Sequence, residues 1–276
     1  MSIATGLNLE LSNRLSVLLI TFNEEENIER VLSALWWVPE VLIVDSGSSD
    51  RTLAIIGQYS NARVVYRQFD SFANQCNFGL RNLSSEWVLS LDADYIVSAK
   101  LSEEICQKIL RPNLGDVSIN GFSIPFFYCI NGKPIRSGLL PPRTCLYKRT
   151  AAEYINIGHG HRVIINGSVA QLRNRIFHDD RKPIEVWLRN QQRYQQTEAG
   201  MLRSKQSTDL PLQDLLRKHT FLAPFAAFFM CLILRRGFLD GKEGIIYAFH
   251  RFIAESLLYL YTHTRIEGKV SSGIDN

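Results

Sequence analysis

The segment that most constrains the fold is an apolar run at residues 87–91 that leads directly into Asp92 and, one residue later, Asp94. Continuous apolar runs are typical of parallel strands that are buried on both faces, and ligands gather at the carboxyl ends of such strands. Two carboxylates at that edge are costly unless a cation neutralises them. A divalent metal carrying a diphosphate would do so, whereas an isolated aspartate pair more often caps the next helix.

The chain before this segment alternates between strand and helix patterns. An apolar run at 16–20 is followed by a pattern that predicts a helix from Glu24, with Asn23 as its N-cap and Glu26 in the capping-box position. The apolar residues that would share one face of this helix are Ile28, Val31, Leu32 and Leu35.

Three further strand patterns follow, at 41–44, 62–66 and 87–91, and helices are predicted at 51–59 and 71–83. Four strand–helix alternations with short connections predict an α/β fold with a mainly parallel sheet flanked by helices. The carboxyl ends of the first two strands would carry Thr21, Asn23, Glu24 and Asp45.

Composition limits the class of protein. A chain of 276 residues, 46% hydrophobic and 21% charged, is long enough for one large domain with an appendage and excludes wholesale disorder. Its five cysteines form an odd number without a C-x-x-C motif, which favours buried free thiols over disulfides or a zinc site. The first thirteen residues lack the basic start and apolar core of a signal peptide, so a cytoplasmic location is predicted.

The last quarter of the chain is apolar and basic. Its longest apolar run, at 221–234, is shorter than the roughly 20 residues of a membrane-spanning helix. From residue 203 onwards there are 10 Lys or Arg and 7 Asp or Glu, which places +3 of the formal +4 charge there. One helical face would carry Ile246, Phe249, Ile253, Leu257 and Leu260. This composition suits either the surface of an anionic membrane or a helical subdomain packed on the core.

Three strand ends, taken in order, resemble family 2 glycosyltransferases of the GT-A fold. They are Thr-Phe-Asn-Glu at 21–24, Asp-Ser-Gly-Ser-Ser-Asp at 45–50 and Asp-Ala-Asp at 92–94, and the resemblance covers about residues 14–180. The motifs Gly-His at 158–159, His-Asp-Asp-Arg-Lys at 178–182 and Gly-Phe-Leu-Asp-Gly at 237–241 are similar to those of bacterial glucosyltransferases that add β-1,4-glucose to the heptose region of the lipopolysaccharide inner core.

The resemblance implies an inverting hexosyltransferase with a GT-A (Rossmann-like) domain at 1–182 and a helical region for acceptor and membrane at 183–276. UDP-glucose would be the first donor and a lipid-anchored oligosaccharide the acceptor, with the protein peripheral on the cytoplasmic face of the inner membrane. Thr21, Asn23, Glu24 and Asp45 would bind the nucleotide. Asn77 lies where many relatives carry an Arg-Asn pair, but Gln75 stands in place of the arginine.

The resemblance also implies a metal site. Asp94 would be the first ligand of Mg²⁺ or Mn²⁺, and Asp92 would be the second or would contact the ribose. His178, which follows a strand-like segment at 169–177, would complete the shell. An imidazole ligand suits Mn²⁺ better than Mg²⁺. Arg181, and Lys182 beside it, would hold the leaving diphosphate.

The catalytic base is left open. An inverting enzyme needs a carboxylate or imidazole within hydrogen-bonding reach of the acceptor hydroxyl. Many relatives carry an acidic residue fifteen to twenty positions before the distal histidine, but this chain has none there. The candidates are Asp180 first, then His159 and His161, and Asp179.

Several other functions fit the sequence less well. A nucleotidyltransferase should have a glycine-rich, basic loop after its first strand, but residues 22–26 read Phe-Asn-Glu-Glu-Glu and would repel a triphosphate. A non-catalytic nucleotide-binding protein would not need both Asp92 and Asp94. The chain has no G-x-G-x-x-G or P-loop motif and no compact basic patch, which argues against dinucleotide and nucleic-acid binding. Transfer to another cell-surface glycan remains an alternative.

Overall fold

The computed structural model describes residues 10–112, 118–157, 160–206 and 211–264. The strands are β1 (Leu15–Thr21), β2 (Val41–Asp45), β3 (Ala62–Tyr66), β4 (Trp87–Asp92), β5 (Tyr95–Val97), β6 (Ile119–Ile124), β7 (Phe126–Ile130), β8 (Lys133–Ile135), β9 (Arg143–Lys148), β10 (Ala152–Ile157), β11 (Gly160–Ile165), β12 (Ser168–Gln171) and β13 (Ile176–His178). The α-helices are α1 (Ile28–Ser33), α2 (Thr52–Ile56), α3 (Phe72–Arg81), α4 (Ala99–Leu110), α5 (Ile184–Ser204), α6 (Leu212–His219), α7 (Ala223–Phe229) and α8 (Lys242–His263).

A seven-stranded sheet in the order β12-β6-β9-β4-β1-β2-β3 forms the centre of the protein, and its β4-β1-β2-β3 half is parallel. The apolar strands predicted from the sequence form this half. Leu15, Val17 and Leu19 of β1 pack into one core, while Leu18 packs into a second core on the other face. Burial on both faces explains why these strands read as continuous apolar runs. The predicted α/β class with a mainly parallel sheet is confirmed.

The first predicted helix begins later than expected. α1 starts at Ile28, and Asn23 does not cap it. Asn23 instead adopts a left-handed backbone conformation (φ 54°) and reaches the loop after β2, where its backbone N–H donates to Ser48 Oγ and its side-chain oxygen accepts from the Ser49 N–H. The loops after β1 and β2 are therefore held together, and the residues between Glu24 and α1 form a turn instead of a first helical turn.

The second half of the sheet was not apparent in the sequence. β9 lies between β4 and β6 and is antiparallel to both. A separate four-stranded sheet has the order β5-β13-β7-β8, and β10 and β11 form a hairpin. The strand-like segment predicted at 169–177 is split between two sheets, since β12 pairs with β6 whereas β13 pairs with β5 and β7. The pairing of His178 with Tyr95 brings the end of β13 beside Asp94.

The C-terminal helices pack on the sheet domain through the β7–β8 hairpin. Asp240 accepts hydrogen bonds from the backbone N–H groups of Arg136 and Ser137 and from Ser137 Oγ, at 2.8–3.0 Å. Lys133 pairs with the buried Glu243 at 3.1 Å. No helix in the described ranges is long and apolar enough to cross a membrane.

The buried side of α8 is not the one expected from its apolar pattern. Gly244, Tyr247, Ala248, Ala254 and Leu258 are buried. Among the predicted face, Phe249 and Leu260 are exposed and the other three residues are half-buried. All five cysteines are free and four of them are buried, as predicted.

Candidate active site

Asp94 and His178 meet at the edge of the main sheet where its parallel strands end. His178 Nε2 lies 3.0 Å from Asp94 Oδ2, and the Asp179 backbone N–H donates to the Asp94 carbonyl at 3.0 Å. Asp94 follows β4 and His178 ends β13, so the antiparallel β5–β13 pairing places the two side chains together. Among the residues that the structure describes, neither Asp94 Oδ1 nor His178 Nδ1, both buried, has a hydrogen-bond partner. Unpaired buried polar atoms are costly, which marks this pair as a place for a further ligand.

The electrostatics of the pair follow from burial and mutual attraction. Burial opposes charge on both groups, but the ion pair outweighs it. The pKa of Asp94 is therefore lowered and that of His178 is raised. Tyr128 and Tyr95 lie edge-on to the imidazole, with ring centroids 4.9 and 5.2 Å away. These rings limit the orientations open to the histidine.

Asp92 lies beside this pair without joining it. About half of its side chain is exposed, and its nearest charged partner is Arg143, with Nη1 at 3.9 Å from Asp92 Oδ2. Within the described residues, no group of three or more His, Cys, Asp or Glu side chains is arranged to hold a metal ion. The predicted ligand set is thus represented by a pair, Asp94 and His178, with an accessible carboxylate nearby.

The carboxylate of Asp45 is buried and fully occupied by internal hydrogen bonds. Its Oδ1 accepts from the N–H groups of Gly47 and Ser48, and its Oδ2 accepts from Thr21 Oγ1 and Ser48 Oγ, all at 2.6–2.9 Å. Gly47 has φ +98°, a conformation that favours glycine and allows this tight turn. The predicted positions of Thr21 and Asp45 at adjacent strand ends are confirmed by the register. Their roles in nucleotide binding stay predictions.

Glu24 forms a buried ion pair with Lys182, 2.5 Å between Oε1 and Nζ. Its other oxygen accepts from Asn27 Nδ2 at 3.0 Å. Burial raises the pKa of Glu24 to about 7, although Lys182 and Asn27 act in the opposite direction. Because Lys182 is committed to Glu24 in this arrangement, a contact with diphosphate would require the pair to open.

The two candidate carboxylate bases differ in their surroundings. Asp179 is buried, and its oxygens face Arg181 Nε at 2.7 Å and Arg30 Nε at 3.7 Å. Asp180 is half-buried, and its Oδ1 accepts from Asn27 Nδ2 and from the Lys182 N–H at 2.9 and 3.1 Å. Arg181 was predicted to hold phosphate, but its guanidinium is paired with Asp179. Of these two carboxylates, Asp180 is therefore the more accessible.

The two candidate histidine bases lie elsewhere. His159 falls outside the described residues. His161, on β11, stacks on Phe72 with ring centroids 5.5 Å apart and lies 5.3 Å from the ring of Tyr154. Burial and the charge of Arg143 lower its pKa, against the opposing charge of Asp92. The charge of Asp92 therefore acts on the pKa of both His161 and His178.

Asn77 has a structural contact that the sequence did not suggest. Its side-chain amide donates to the carbonyl and accepts from the N–H of Tyr154, which fastens α3 to β10. Gln75, fully buried, donates to Ser46 Oγ and to the Arg67 carbonyl, and it accepts from Arg67 Nη1. An arginine is therefore present beside Gln75, although it comes from the end of β3.

Four residues of the site were missed by sequence reasoning: Asn27, Arg30, Tyr128 and Arg143. None belongs to one of the strand-end motifs, and each reaches the site through a partner distant in the chain, up to 154 positions in the case of Asn27 and Arg181. Of these four, Asn27 alone could have been noticed in the sequence, as an amide residue on the predicted buried side of the first helix.

Sequence comparison identifies a family. The model of the Glycosyl transferase family 2 matches residues 16–165. An uncharacterized glycosyltransferase of Rickettsia conorii is 26% identical over 263 residues, covering 90% of each chain. The lipopolysaccharide core biosynthesis glycosyltransferase LpsC of Rhizobium meliloti is 34% identical over 93 residues, covering 32% of this chain and 34% of LpsC.

Structural comparison matches solved structures at low sequence identity. TarS of Staphylococcus aureus (residues 1–349) has a TM-score of 0.48 at 14% identity and covers 90% of this chain and 91% of its own. Glucosyl-3-phosphoglycerate synthase of Mycobacterium tuberculosis, in complex with Mn²⁺, UDP and phosphoglyceric acid, has a TM-score of 0.48 at 19% identity and covers 72% of this chain and 81% of its own.

Proposed function

The chain belongs to glycosyltransferase family 2, and from that premise we propose that it is an inverting hexosyltransferase with UDP-glucose as its first donor. Membership makes it a glycosyltransferase that uses a nucleotide-sugar donor and has a GT-A-like α/β fold. It also sets aside the nucleotidyltransferase and non-catalytic alternatives. What remains to be proposed is the metal, the base, the sugar, the acceptor and the place of action.

The observation that carries the proposal is the Asp94–His178 pair with its two buried, unpartnered atoms. A carboxylate oxygen and an imidazole nitrogen together suit Mn²⁺, and one carboxylate with substrate phosphates suits Mg²⁺. Asp94 and His178 would hold the ion, and Asp92 is close enough in sequence and exposed enough to contact the ion or the ribose. When bound, the ion would offset the charge of the departing diphosphate.

The protein side chains divide the remaining work. In the transfer, an acceptor oxygen bonds to the anomeric carbon, the bond from that carbon to the UDP oxygen breaks, and the proton of the acceptor hydroxyl passes to a base. We assign the base to Asp180, whose Oδ1 is fixed by two N–H donors while its other oxygen carries no such bond. Thr21, Asn23, Glu24 and Asp45 would line the nucleotide side.

A calorimetric titration tests the donor and the metal together. UDP-glucose is added to the protein with and without Mn²⁺, and UDP-galactose and UDP-N-acetylglucosamine are compared with it. Tighter binding with Mn²⁺, strongest for UDP-glucose, supports the proposal. Equal binding with and without Mn²⁺, or no binding of any UDP-sugar, contradicts the metal-bridged site.

We propose a lipopolysaccharide inner-core heptose as the acceptor. The motifs at 178–182 and 237–241 support it, as does the likeness of one third of the chain to an enzyme named for lipopolysaccharide core biosynthesis. Another cell-surface glycan is the alternative. Incubating the enzyme and radiolabelled donor with purified core oligosaccharides that contain or lack the terminal heptose distinguishes them, because only the heptose-containing acceptor should be labelled.

We also propose that the helical region at 183–276 docks the protein on the cytoplasmic face of the inner membrane. An exposed apolar surface supports this. It consists of Phe221, Leu222, Phe225, Phe229, Ile233, Leu234, Phe238 and Leu239. Exposed patches of this kind are uncommon on proteins that remain free in water, and the exposed Arg235 and Arg236 beside them suit anionic headgroups.

A series of ring contacts connects the Asp94–His178 pair to the helices that carry the apolar surface. Tyr128 contacts both His178 and Tyr247 of α8, with ring centroids 4.9 Å apart in each case. α8 in turn packs on α7, as in the contact between Phe249 and Phe228 at 5.1 Å. A membrane held at this surface would bring a lipid-anchored glycan near Asp94 and His178.

Flotation with vesicles tests the docking. The double substitution Phe225→Glu with Phe229→Glu should abolish binding to vesicles containing phosphatidylglycerol, while Arg235→Gln should weaken it most at low salt, by about 1 kcal/mol. Leu53→Glu, at an exposed apolar position on α2, is the matched control. Wild-type protein that stays unbound, or a control that behaves like the double variant, would show that these helices are only a packed subdomain.

A further inference from the structure

Asn27 is completely buried in the turn before α1, and its side-chain amide makes four hydrogen bonds. Nδ2 donates to Glu24 Oε2 at 3.0 Å and to Asp180 Oδ1 at 2.9 Å. Oδ1 accepts from Arg30 Nη2 and from the Arg181 backbone N–H, both at 2.9 Å. Carboxylates only accept and guanidinium groups only donate, so the partners determine which end of the amide is oxygen.

Charged groups of both signs surround this neutral amide. We call the group formed by Glu24, Asn27, Arg30 and residues 179–182 the Asn27 cluster. It holds three cations, Arg30, Arg181 and Lys182, and three anions, Glu24, Asp179 and Asp180. The nitrogen of the Asn27 amide donates to the carboxylates of Glu24 and Asp180, and its oxygen accepts from Arg30 and the Arg181 backbone N–H. A charged side chain at this position would satisfy one set and repel the other, and an apolar one would leave buried polar groups unpaired.

The cluster fixes the segment that follows His178 at two separate places. At its start, the Asp179 N–H donates to the Asp94 carbonyl, and the Asp179 carbonyl accepts from Arg30 Nη2 at 2.8 Å. At its end, the Arg181 N–H and the Asp180 carboxylate are held by Asn27. The segment carries His178 at one end and Asp180 within it, so its position sets the relative placement of both side chains.

We propose that Asn27 is a positioning residue for sugar transfer, acting through Asp180 and the Arg181 backbone to hold the 178–182 segment in register with Asp94. The inference rests on the proposed roles of Asp180 and His178. Asn27 itself has no exposed surface and touches neither substrate. Its loss should therefore lower kcat far more than it raises the donor KM, because the one described contact that it makes on the proposed nucleotide side is with Glu24, which keeps its ion pair with Lys182.

The test compares Asn27 with a matched asparagine at the opposite edge of the sheet. Asn61 precedes β3, and its Nδ2 donates to the carbonyls of Leu35 and Val38 at 3.1 and 2.9 Å. Asn27→Ala, Asn27→Asp, Asn61→Ala and Asn61→Asp are compared by steady-state kinetics with UDP-glucose, by amide hydrogen exchange over residues 179–182, and by thermal unfolding.

Asn27→Ala should raise exchange at the Arg181 and Lys182 amides at least about tenfold and lower kcat about 10–100-fold, the range seen when outer-shell partners are lost. The donor KM should change less than about threefold. Asn27→Asp keeps an acceptor for Arg30 and the Arg181 N–H, so exchange at Arg181 should stay near that of the wild type. Its kcat should still fall, because Glu24 and Asp180 lose their donor. The Asn61 variants should keep the wild-type kcat.

Unchanged exchange in Asn27→Ala would overturn the proposal, and so would an equal fall of kcat in Asn61→Ala at equal loss of thermal stability. A rise in donor KM with constant kcat would also overturn it, since Asn27 would then act on binding. If Asn27→Ala does not fold, Asn27→Asp provides the test. A lower kcat with wild-type hydrogen exchange at Arg181 supports the proposal, and an unchanged kcat overturns it. If the wild type transfers no sugar from any UDP-hexose, the proposed function fails, and the exchange data decide the structural half of the inference separately.

Discussion

Asp45 and Asp94 lie at the same edge of the main sheet, one at the end of β2 and the other just after β4, but their hydrogen bonding is opposite. Asp45 accepts four hydrogen bonds from its own turn and from Thr21. Asp94 has one side-chain partner, His178, and its Oδ1 is buried without any. Both are strand-end aspartates in motifs of comparable specificity. The first is already satisfied by the fold, whereas the second needs something more.

This comparison gives a way to distinguish a carboxylate that stabilises the fold from one that could bind a cation at the edge of the sheet. A saturated carboxylate stabilises the loop that it closes, since each of its acceptor sites has been exchanged from water to a protein donor. A buried carboxylate oxygen without a hydrogen-bond partner has an uncompensated desolvation free energy, and a bound cation can compensate it. Substitutions at the two positions should therefore act on different quantities: unfolding free energy for Asp45 and turnover for Asp94.

The largest effect is expected for Asp94→Asn. The change keeps the side-chain shape and removes the negative charge that would hold a metal, so kcat/KM should fall at least about a thousandfold, equivalent to about 4 kcal/mol. Transfer of sugar from UDP-glucose with Mn²⁺ measures it. Asp92→Asn, on a half-exposed side chain, is the comparison and should cost about tenfold. A larger loss for Asp92→Asn would reverse the two assignments.

His178→Gln should have the next largest effect. Glutamine cannot replace the imidazole nitrogen, so turnover should drop about 10–100-fold and the Mn²⁺ concentration for half-maximal activity should rise. His250→Gln is the matched control, because His250 also has a buried, unpartnered Nδ1 but stacks on Trp187 without a carboxylate partner. If both variants shift the Mn²⁺ dependence equally, the unpartnered nitrogen alone does not mark a metal ligand.

Asp45→Asn should change stability more than turnover. An asparagine cannot accept from all four donors that now reach the carboxylate, so the free energy of unfolding should fall by about 1–3 kcal/mol. Urea unfolding measures this. Asp50→Asn, whose carboxylate accepts from the Thr52 and Glu25 N–H groups, should cost less. A large rise in donor KM for Asp45→Asn at unchanged stability would place Asp45 with the nucleotide and end the contrast with Asp94.

An effect of similar size is expected in the pH dependence at Glu24, a largely buried carboxylate that has partners. Its pKa is raised to about 7, so the folded state disfavours the ionised form. This penalty is absent below the unfolded pKa of about 4.5 and complete above pH 7. The unfolding free energy of the wild type, relative to Glu24→Gln, should therefore fall by about 1–3 kcal/mol between pH 5 and pH 8.

Urea unfolding at both pH values tests this, with Glu29→Gln at an exposed position of α1 as the control. A difference that stays constant with pH would mean that the ion pair with Lys182 balances burial, and one that grows in favour of the wild type as pH rises would mean that the ion pair outweighs burial. Glu24 would then resemble Asp45 more than Asp94.

Much of the parallel half of the fold could be predicted because its cause is local. Burial on both faces forces strands such as β1 and β2 to be apolar throughout, and the turn residues after them are read directly from the chain. The four strand–helix units and the edge carrying Thr21, Asp45 and Asp94 follow from that pattern. The predicted start of α1 was wrong, because Asn23 forms hydrogen bonds with the next loop and does not cap the helix.

The antiparallel half was beyond sequence reasoning. Strands β5, β8 and β13 have only three residues each, too few for an alternation to be visible. The segment at 169–177 looked continuous, but its two ends pair with different sheets. The pairing of β12 with β6 and of β13 with β5 and β7 cannot be predicted from this segment alone. Each pairing depends on which sheet edge is still unpaired when the rest of the chain has folded.

The family, the class of fold and the polar residues at the carboxyl ends of the strands can be identified from the amino-acid sequence. Which of those polar atoms are satisfied depends on how the distant parts of the chain come together. The bonds that decide it join residues far apart in the chain, such as Asn27 with Asp180, 153 positions away, and Glu24 with Lys182, 158 positions away. Periodicity reports the burial of a residue in its own strand or helix. It carries no information on a donor that arrives from another part of the chain, as Asn27 does for Asp180 and Lys182 does for Glu24.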